Sequence, residues 1–253
     1  VEANHHTDAA NGWFFMRHEI LADSLSQGLA AFEKGFAPIA EQFKMIWFIS
    51  DSERPKKIAL FASKESHCLA DLLYRWHERD LPGDIVCVIA NHEDLRSMVE
   101  WYKIPFHYVP VKPETKAQAF AESERLVLDY QADVIVLARY MQILPPTMCR
   151  DYAGRIINIH HSFLPSFVGA KPYHQAYERG VKLIGATCHY VTEELDAGPI
   201  IEQDVIRVNH THSVEEMRRQ GRDVEKTALA KGLRFHLEDR VIIHGNKTVV
   251  FAN

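Results

Sequence analysis

From Lys57 onward the hydrophobic period of the chain switches repeatedly between two and about 3.6, and this rhythm restricts the fold more than any other feature. Short apolar runs at 57–62, 85–90, 106–109, 134–138 and 156–159 read as strands. Helical patterns at 68–78, 94–101 and about 116–130 separate them. Strands of this length, joined by helical segments of roughly ten to fifteen residues, call for a mostly parallel open sheet flanked by helices, an α/β class. Two further strands, 183–191 and 200–208, a long helix at about 213–237 and a hairpin around Gly245-Asn246 complete the pattern. Ligands of such sheets bind beyond the carboxyl ends of the strands. Polar residues gather there at 63–67, Asn91-His92, 139–141 and 158–162.

The first fifty residues read differently. An apolar strand core spans 13–16. A stripe follows at Leu25, Leu29, Phe32, Phe36, Ile39 and Phe43, with Pro38 arguing for a bend. Residues 44–50 read as a strand. One strand, one helix and one strand cannot bury an independent core. The chain opens at Val1 inside structured sequence, so an incomplete N-terminal module is expected. The polar stretch 51–57 (DSERPKK) marks a boundary. The domains read as 1–50, a linker at 51–55, and 56–253.

The formal net charge is −5, with no basic stripe, and no apolar stretch has membrane length. Neither a nucleic-acid nor a membrane partner is expected. Cys68, Cys87, Cys149 and Cys188 form no CxxC pair and read as buried free thiols of a reducing, cytoplasmic compartment. No HExxH or compact Cys/His spacing occurs despite fifteen histidines, so no metal is expected. GxSxG is absent, as is GxGxxG after the first strand of the larger part.

The run 156–167 (IINIHHSFLPSF) places Asn158 and His160 two residues apart, and hence on one face of an extended segment. Two polar groups on a buried strand must pair or work. An amide and an imidazole there suit a carbonyl oxygen that becomes negative on attack, though both could simply bond loop backbone. His161 would point to the other side. Asp196, just before Ala197-Gly198-Pro199, is either a turn former or the carboxylate of the set. It would accept a proton only if burial raised its pKa. His189 reads as a buried supporting donor. Together these side chains make an acyl-hydrolysis set.

Several stretches together resemble one family: SKESHCLADLL (63–73), LARYMQIL (137–144), INIHHSFLPSF (157–167), GAKPYHQAYERGVKLIGATCHYV (169–191), LDAGPIIEQDV (195–205) and GRDVEK (221–226). They resemble the formyltransferase fold and, within it, the formyltetrahydrofolate deformylases. The resemblance implies hydrolysis of 10-formyltetrahydrofolate to tetrahydrofolate and formate, with the folate as substrate and no prosthetic cofactor. It implies Asn158, His160 and Asp196 as catalytic residues. Arg139, Tyr140, Met141, Ile143, Leu144, Ser162, Phe163 and Thr192 are the implied substrate contacts, in segments reaching Phe167, with His189 behind them. Arg139 stands where the transformylases of this fold commonly carry glycine. Residues 63–68 lack the glycine-rich phosphate loop of those enzymes, so water is the simplest acceptor. Transfer to an amine, or folate sensing without turnover, is the competing reading. Residues 1–50 resemble part of an ACT domain, which implies homo-oligomerisation and an amino-acid effector.

Overall fold

The computed structural model describes residues 2–166 and 172–252. It divides into two compact units, Val1–Arg54 with Phe251–Asn253, and Pro55–Val250.

In the smaller unit, β1 (Glu2–Asp8) pairs antiparallel with β2 (Trp13–Glu19), Asp8 opposite Trp13. The turn between them contains Gly12 at φ 70°. β1 was illegible in the sequence because EANHHTD has no apolar alternation. α1 (Leu29–Gln42) runs through Pro38 rather than breaking there. The expected strand at 44–50 is not formed: residues 45–50 have no regular structure. A strand needs a neighbour for its backbone N–H and C=O groups. The β1–β2 sheet has two strands, and residues 45–50 pair with neither. Ile46 and Phe48 in this segment are exposed.

The larger unit follows the expected alternation closely. Its elements are β3 (Lys56–Ala62), α2 (His67–His77), β4 (Gly83–Ala90), α3 (Arg96–Trp101), β5 (Phe106–Tyr108), α4 (Lys116–Asp129), β6 (Val134–Ala138), α5 (Pro146–Asp151), β7 (Ile156–His160), α6 (Pro172–Arg179), β8 (Leu183–Tyr190), β9 (Ile200–Arg207), α7 (Val214–Leu237) and the hairpin β10 (Val241–His244) and β11 (Lys247–Val250). The short helices α5 and α6 gave no readable period; α5 opens on proline, which suits a first turn. Ser213 caps α7 with a reciprocal capping box to Glu216, two tethered donors at one helix start.

The main sheet has seven strands in the order β5-β4-β3-β6-β7-β8-β9. β5 through β7 are parallel, and β8 and β9 run antiparallel. Side-chain alternation divides the sheet cleanly. Ile58, Leu60, Val134 and Val136 face one core, with Leu229 and Leu233 of α7. Ala59, Phe61, Ile135 and Leu137 face the other, with Phe120 and Val127 of α4. A fully buried Leu or Ile contributes about 1.5–3 kcal/mol, so α7 is anchored along its length. Strand order reverses between β3 and β6, and a crevice at the carboxyl ends of these strands follows. Ser63 sits there, 3% exposed. Its hydroxyl donates to Asn91 Oδ1 at 2.7 Å and accepts from the Met141 N–H at 2.9 Å. One side chain thus ties together the loops after β3, β4 and β6. Among the described residues, no helix is long and apolar enough to cross a membrane.

Candidate active site

β7 carries both Asn158 and His160, and the antiparallel partner β8 sets His189 opposite Asn158. Asn158 Nδ2 lies 3.1 Å from His189 Nε2, and His189 Nδ1 lies 2.9 Å from the Tyr190 carbonyl. A carbonyl only accepts, so His189 carries its proton on Nδ1 and its Nε2 lone pair accepts from Asn158. Burial holds the His189 pKa below the usual imidazole value, consistent with that neutral form. One amide N–H of Asn158 is therefore committed and the other remains for a ligand.

Asp196 arrives from the loop between β8 and β9. Tyr190 N donates to Pro199 O at 2.9 Å and closes that loop. Asp196 has φ 55°, an uncommon conformation outside glycine. Gly198 allows the tight return: a Cβ there would lie 1.9 Å from the Tyr190 carbonyl oxygen. The result is His160 Nδ1 at 3.2 Å from Asp196 Oδ2, with His189 Nε2 3.8 Å from Oδ1. The side chains of His160 and Asp196 are 7% and 9% exposed, so their attraction is weakly screened. Among the described residues, buried His160 Nε2 has no hydrogen-bond partner.

The condition that burial raise the Asp196 pKa is not met. Burial does push its pKa up, but the hydrogen bond and charge of His160, with His189 and His161, bring it below the usual carboxylate range. Asp196 is an ionised acceptor, and a weak base.

The remaining expected contacts divide. Met141, Ile143 and Phe163 are exposed. Tyr140 and Leu144 are packed in the core, Tyr140 edge-on to Phe61 at 5.3 Å. Ser162 Oγ donates to Ser166 O and Thr192 Oγ1 to Glu194 O, so both hydroxyls organise their own loops. Phe167 lies outside the described residues. Arg139, at φ 62°, directs its guanidinium toward Glu225, with Nε 3.4 Å from Oε2.

Glu225 itself was missed. It sits on α7 with its side chain 2% exposed, and His67 Nε2 and Tyr173 Oη are each 2.7 Å from its carboxylate. Burial raises its pKa, but His67, Arg139 and Tyr173 hold it lower than usual on balance. A cavity of about 220 Å³ adjoins this group, lined in part by His67, Arg139, His161, Tyr173, Arg222 and Glu225. The available signal was a glutamate amid the apolar positions Val224, Ala228 and Leu229. His67, Cys68 and Glu225 bring three metal-capable atoms within 4.8 Å. Glu225 is already engaged by His67, Tyr173 and Arg139, and burial pushes the Cys68 thiol well up. The group is a hydrogen-bonded cluster rather than a built metal centre.

Residues 56–233 match the formyl transferase family model. The chain is 48% identical over 252 residues to a formyltetrahydrofolate deformylase from Bacillus subtilis, covering 99% of this chain and 84% of the relative. A crystal structure of a formyltetrahydrofolate deformylase from Pseudomonas syringae superposes with a TM-score of 0.97 at 69% identity, over 99% of this chain and 84% of the other. A glycinamide ribonucleotide transformylase from Symbiobacterium toebii is more distant, at 26% identity and a TM-score of 0.74, with 81% and 98% coverage.

Proposed function

Because the chain belongs to the formyltetrahydrofolate deformylase family, we propose that it hydrolyses 10-formyltetrahydrofolate to tetrahydrofolate and formate, without a prosthetic cofactor, on Asn158, His160 and Asp196. The observation that carries the assignment of residues is the 3.2 Å contact of His160 Nδ1 with an ionised Asp196, which leaves His160 Nε2 unpartnered beside β7.

The formyl oxygen accepts from the uncommitted Asn158 N–H and from His160 Nε2, whose ring Asp196 orients through Nδ1. Asp196 also accepts a hydrogen bond from water and aims it at the formyl carbon. As the water oxygen attacks, one of its protons is relayed through the Asp196/His160 pair to N10. The C–N10 bond breaks and formate leaves, its remaining proton going to solvent. Donors fixed before charge develops need no reorganisation, which is why such a pair is effective. Substrate contacts are assigned to Arg139, Tyr140, Met141, Ile143, Leu144, Ser162, Phe163 and Thr192. The exposed apolar Met141, Ile143 and Phe163 suit a flat pterin face, with Tyr140 and Leu144 as packing beneath.

The decisive assay is formate release from 10-formyltetrahydrofolate with no amine present. An Asp196→Asn protein with an unchanged rate removes Asp196 from this role. A wild-type protein that acts only when a phosphorylated amine is added is a transferase instead.

The smaller unit is assigned as an ACT-like regulatory module that pairs with a second copy of the chain and takes an amino acid as effector. Exposed Trp13, Phe14, Phe43, Ile46 and Phe48 support a partner surface. Sedimentation with and without candidate amino acids tests both points. The four cysteines are buried free thiols, which fits the cytoplasm.

A further inference from the structure

His160 of β7 lies opposite Thr187 of β8, and Thr187 lies opposite Gln203 of β9, so the three form one row across the sheet. Directly opposed residues of antiparallel strands share a face. Thr187 and Gln203 therefore project on the side that carries Asn158, His160 and His189. The chain leaving β7 folds back over them, and these two side chains hold the returning loop by its backbone. Thr187 Oγ1 donates to Ser162 O at 2.9 Å and accepts from Leu164 N at 3.0 Å. Gln203 Nε2 donates to Leu164 O and to Thr187 Oγ1, both at 2.9 Å. The hydroxyl thus uses its one hydrogen and both acceptor positions, and the amide nitrogen uses both of its hydrogens. Thr187 is fully buried, and Ser162 and Leu164 are nearly so. A buried backbone group left without a partner is costly, so this grip fixes the shape of the loop.

Phe163 lies between the two gripped residues. Its carbonyl accepts from Ser166 N at 2.9 Å, which closes a turn within the loop. Its ring is 41% exposed and rests against β8 where residue 185 is glycine; a Cβ there would lie 3.3 Å from Phe163 Cδ2. Gly185 is two residues from Thr187 and on the same face, so the ring stands one row along from His160. Burial does not account for the place of this ring; the grip on the backbone either side of it does.

We propose that Thr187 and Gln203 are positioning residues for substrate binding: together they hold Phe163 as a fixed apolar platform beside His160, against which the folate ring system stacks. The inference rests on the deformylase reading, with Phe163 as a substrate contact, and adds how that contact is kept in place. Neither side chain touches the reacting atoms. The pairing of His160 with Thr187 is made by backbone and survives the loss of either side chain. Binding, rather than the chemical step, carries the effect.

The test measures formate release over a range of 10-formyltetrahydrofolate concentrations, well below the melting temperature of each variant. Thr187→Val keeps the shape of the side chain and removes the hydroxyl; Gln203→Met keeps the length and removes the amide. In each, KM is expected to rise roughly tenfold, with kcat within about twofold of wild type. Thr187→Ser restores the hydroxyl and returns KM close to the wild-type value. Phe163→Ala raises KM comparably, and adding Thr187→Val or Gln203→Met to it raises KM no further, because all three act through one contact. A wild-type KM in Gln203→Met, or in a folded Thr187→Val, overturns the proposal. So does a wild-type KM in Phe163→Ala, a rise in KM that survives in full on the Phe163→Ala background, or a loss confined to kcat. Failure of the wild-type protein to release formate would instead sink the underlying deformylase reading.

Discussion

Asn158 donates its amide hydrogen to His189 Nε2 at 3.1 Å, so the orientation of the amide is fixed from the neighbouring strand. Left alone, an asparagine amide can turn over and exchange its donor for its carbonyl. Here His189 prevents the exchange, because its own proton is held by the Tyr190 carbonyl.

His189→Ala is therefore expected to lower kcat by roughly 10–100-fold, while KM changes little. Asn158→Ala removes the donor itself and should cost about 10²–10³ in kcat. Steady-state kinetics on the two variants and the double mutant check this. Losses that multiply in the double mutant, as for independent sites, would show that His189 does not act through Asn158.

Gly198→Ala places a methyl group 1.9 Å from the Tyr190 carbonyl, against backbone that cannot move cheaply. The loop bearing Asp196 must shift. Activity should fall by at least about tenfold, since misplacement on the scale of an ångström is costly to catalysis. Melting temperature, set mainly by the distant core, should fall by only a few degrees. A variant with full activity would break the link between this close approach and the position of Asp196.

Ser63→Ala strands the Met141 N–H and removes the donor to Asn91 Oδ1. A stability loss of about 1–3 kcal/mol is expected from the unsatisfied buried groups. KM for the folate should rise as the 139–144 loop loosens. Urea unfolding and initial-rate measurements check the two effects separately.

Stability should weaken in mild acid. His161 and His236 are pushed down to about 4, in both cases chiefly by burial, and His236 Nδ1 also lies 2.8 Å from the Tyr190 hydroxyl. In the unfolded chain both titrate near 6.5. The unfolded state therefore binds more protons between about pH 6.5 and 4, and stability is full above that window and declines as pH falls through it. Asp196 and Glu225, both lowered, extend the decline below about pH 4. His236→Gln should flatten the upper part of the profile by roughly 1–2 kcal/mol, allowing for partial solvent contact. Urea midpoints at neutral pH and near pH 4.5 measure it.

Local pattern was enough to write down most of the larger unit. Apolar runs and helical periods are statements about neighbours in sequence, and they located β3 through β9 to within a residue or two. The same logic put Asn158 and His160 on one strand, since alternation in an extended chain is local geometry. It failed for β1, whose polar sequence has no period, and for residues 45–50, whose apolar character found no strand to pair with. What only the tertiary structure decided is which distant side chains meet. The reversal of strand order at β3 and β6, and the antiparallel return of β8, bring His189 and Asp196 to β7 and α7 to α2. Of the Glu225 cluster, which joins α2, the β6 end, α6 and α7, the sequence carried only a glutamate amid apolar helix positions and nothing of its partners. The sign of the Asp196 shift belongs to the same class. Burial alone would have raised it, and only the imidazoles that the fold sets around it reverse the balance.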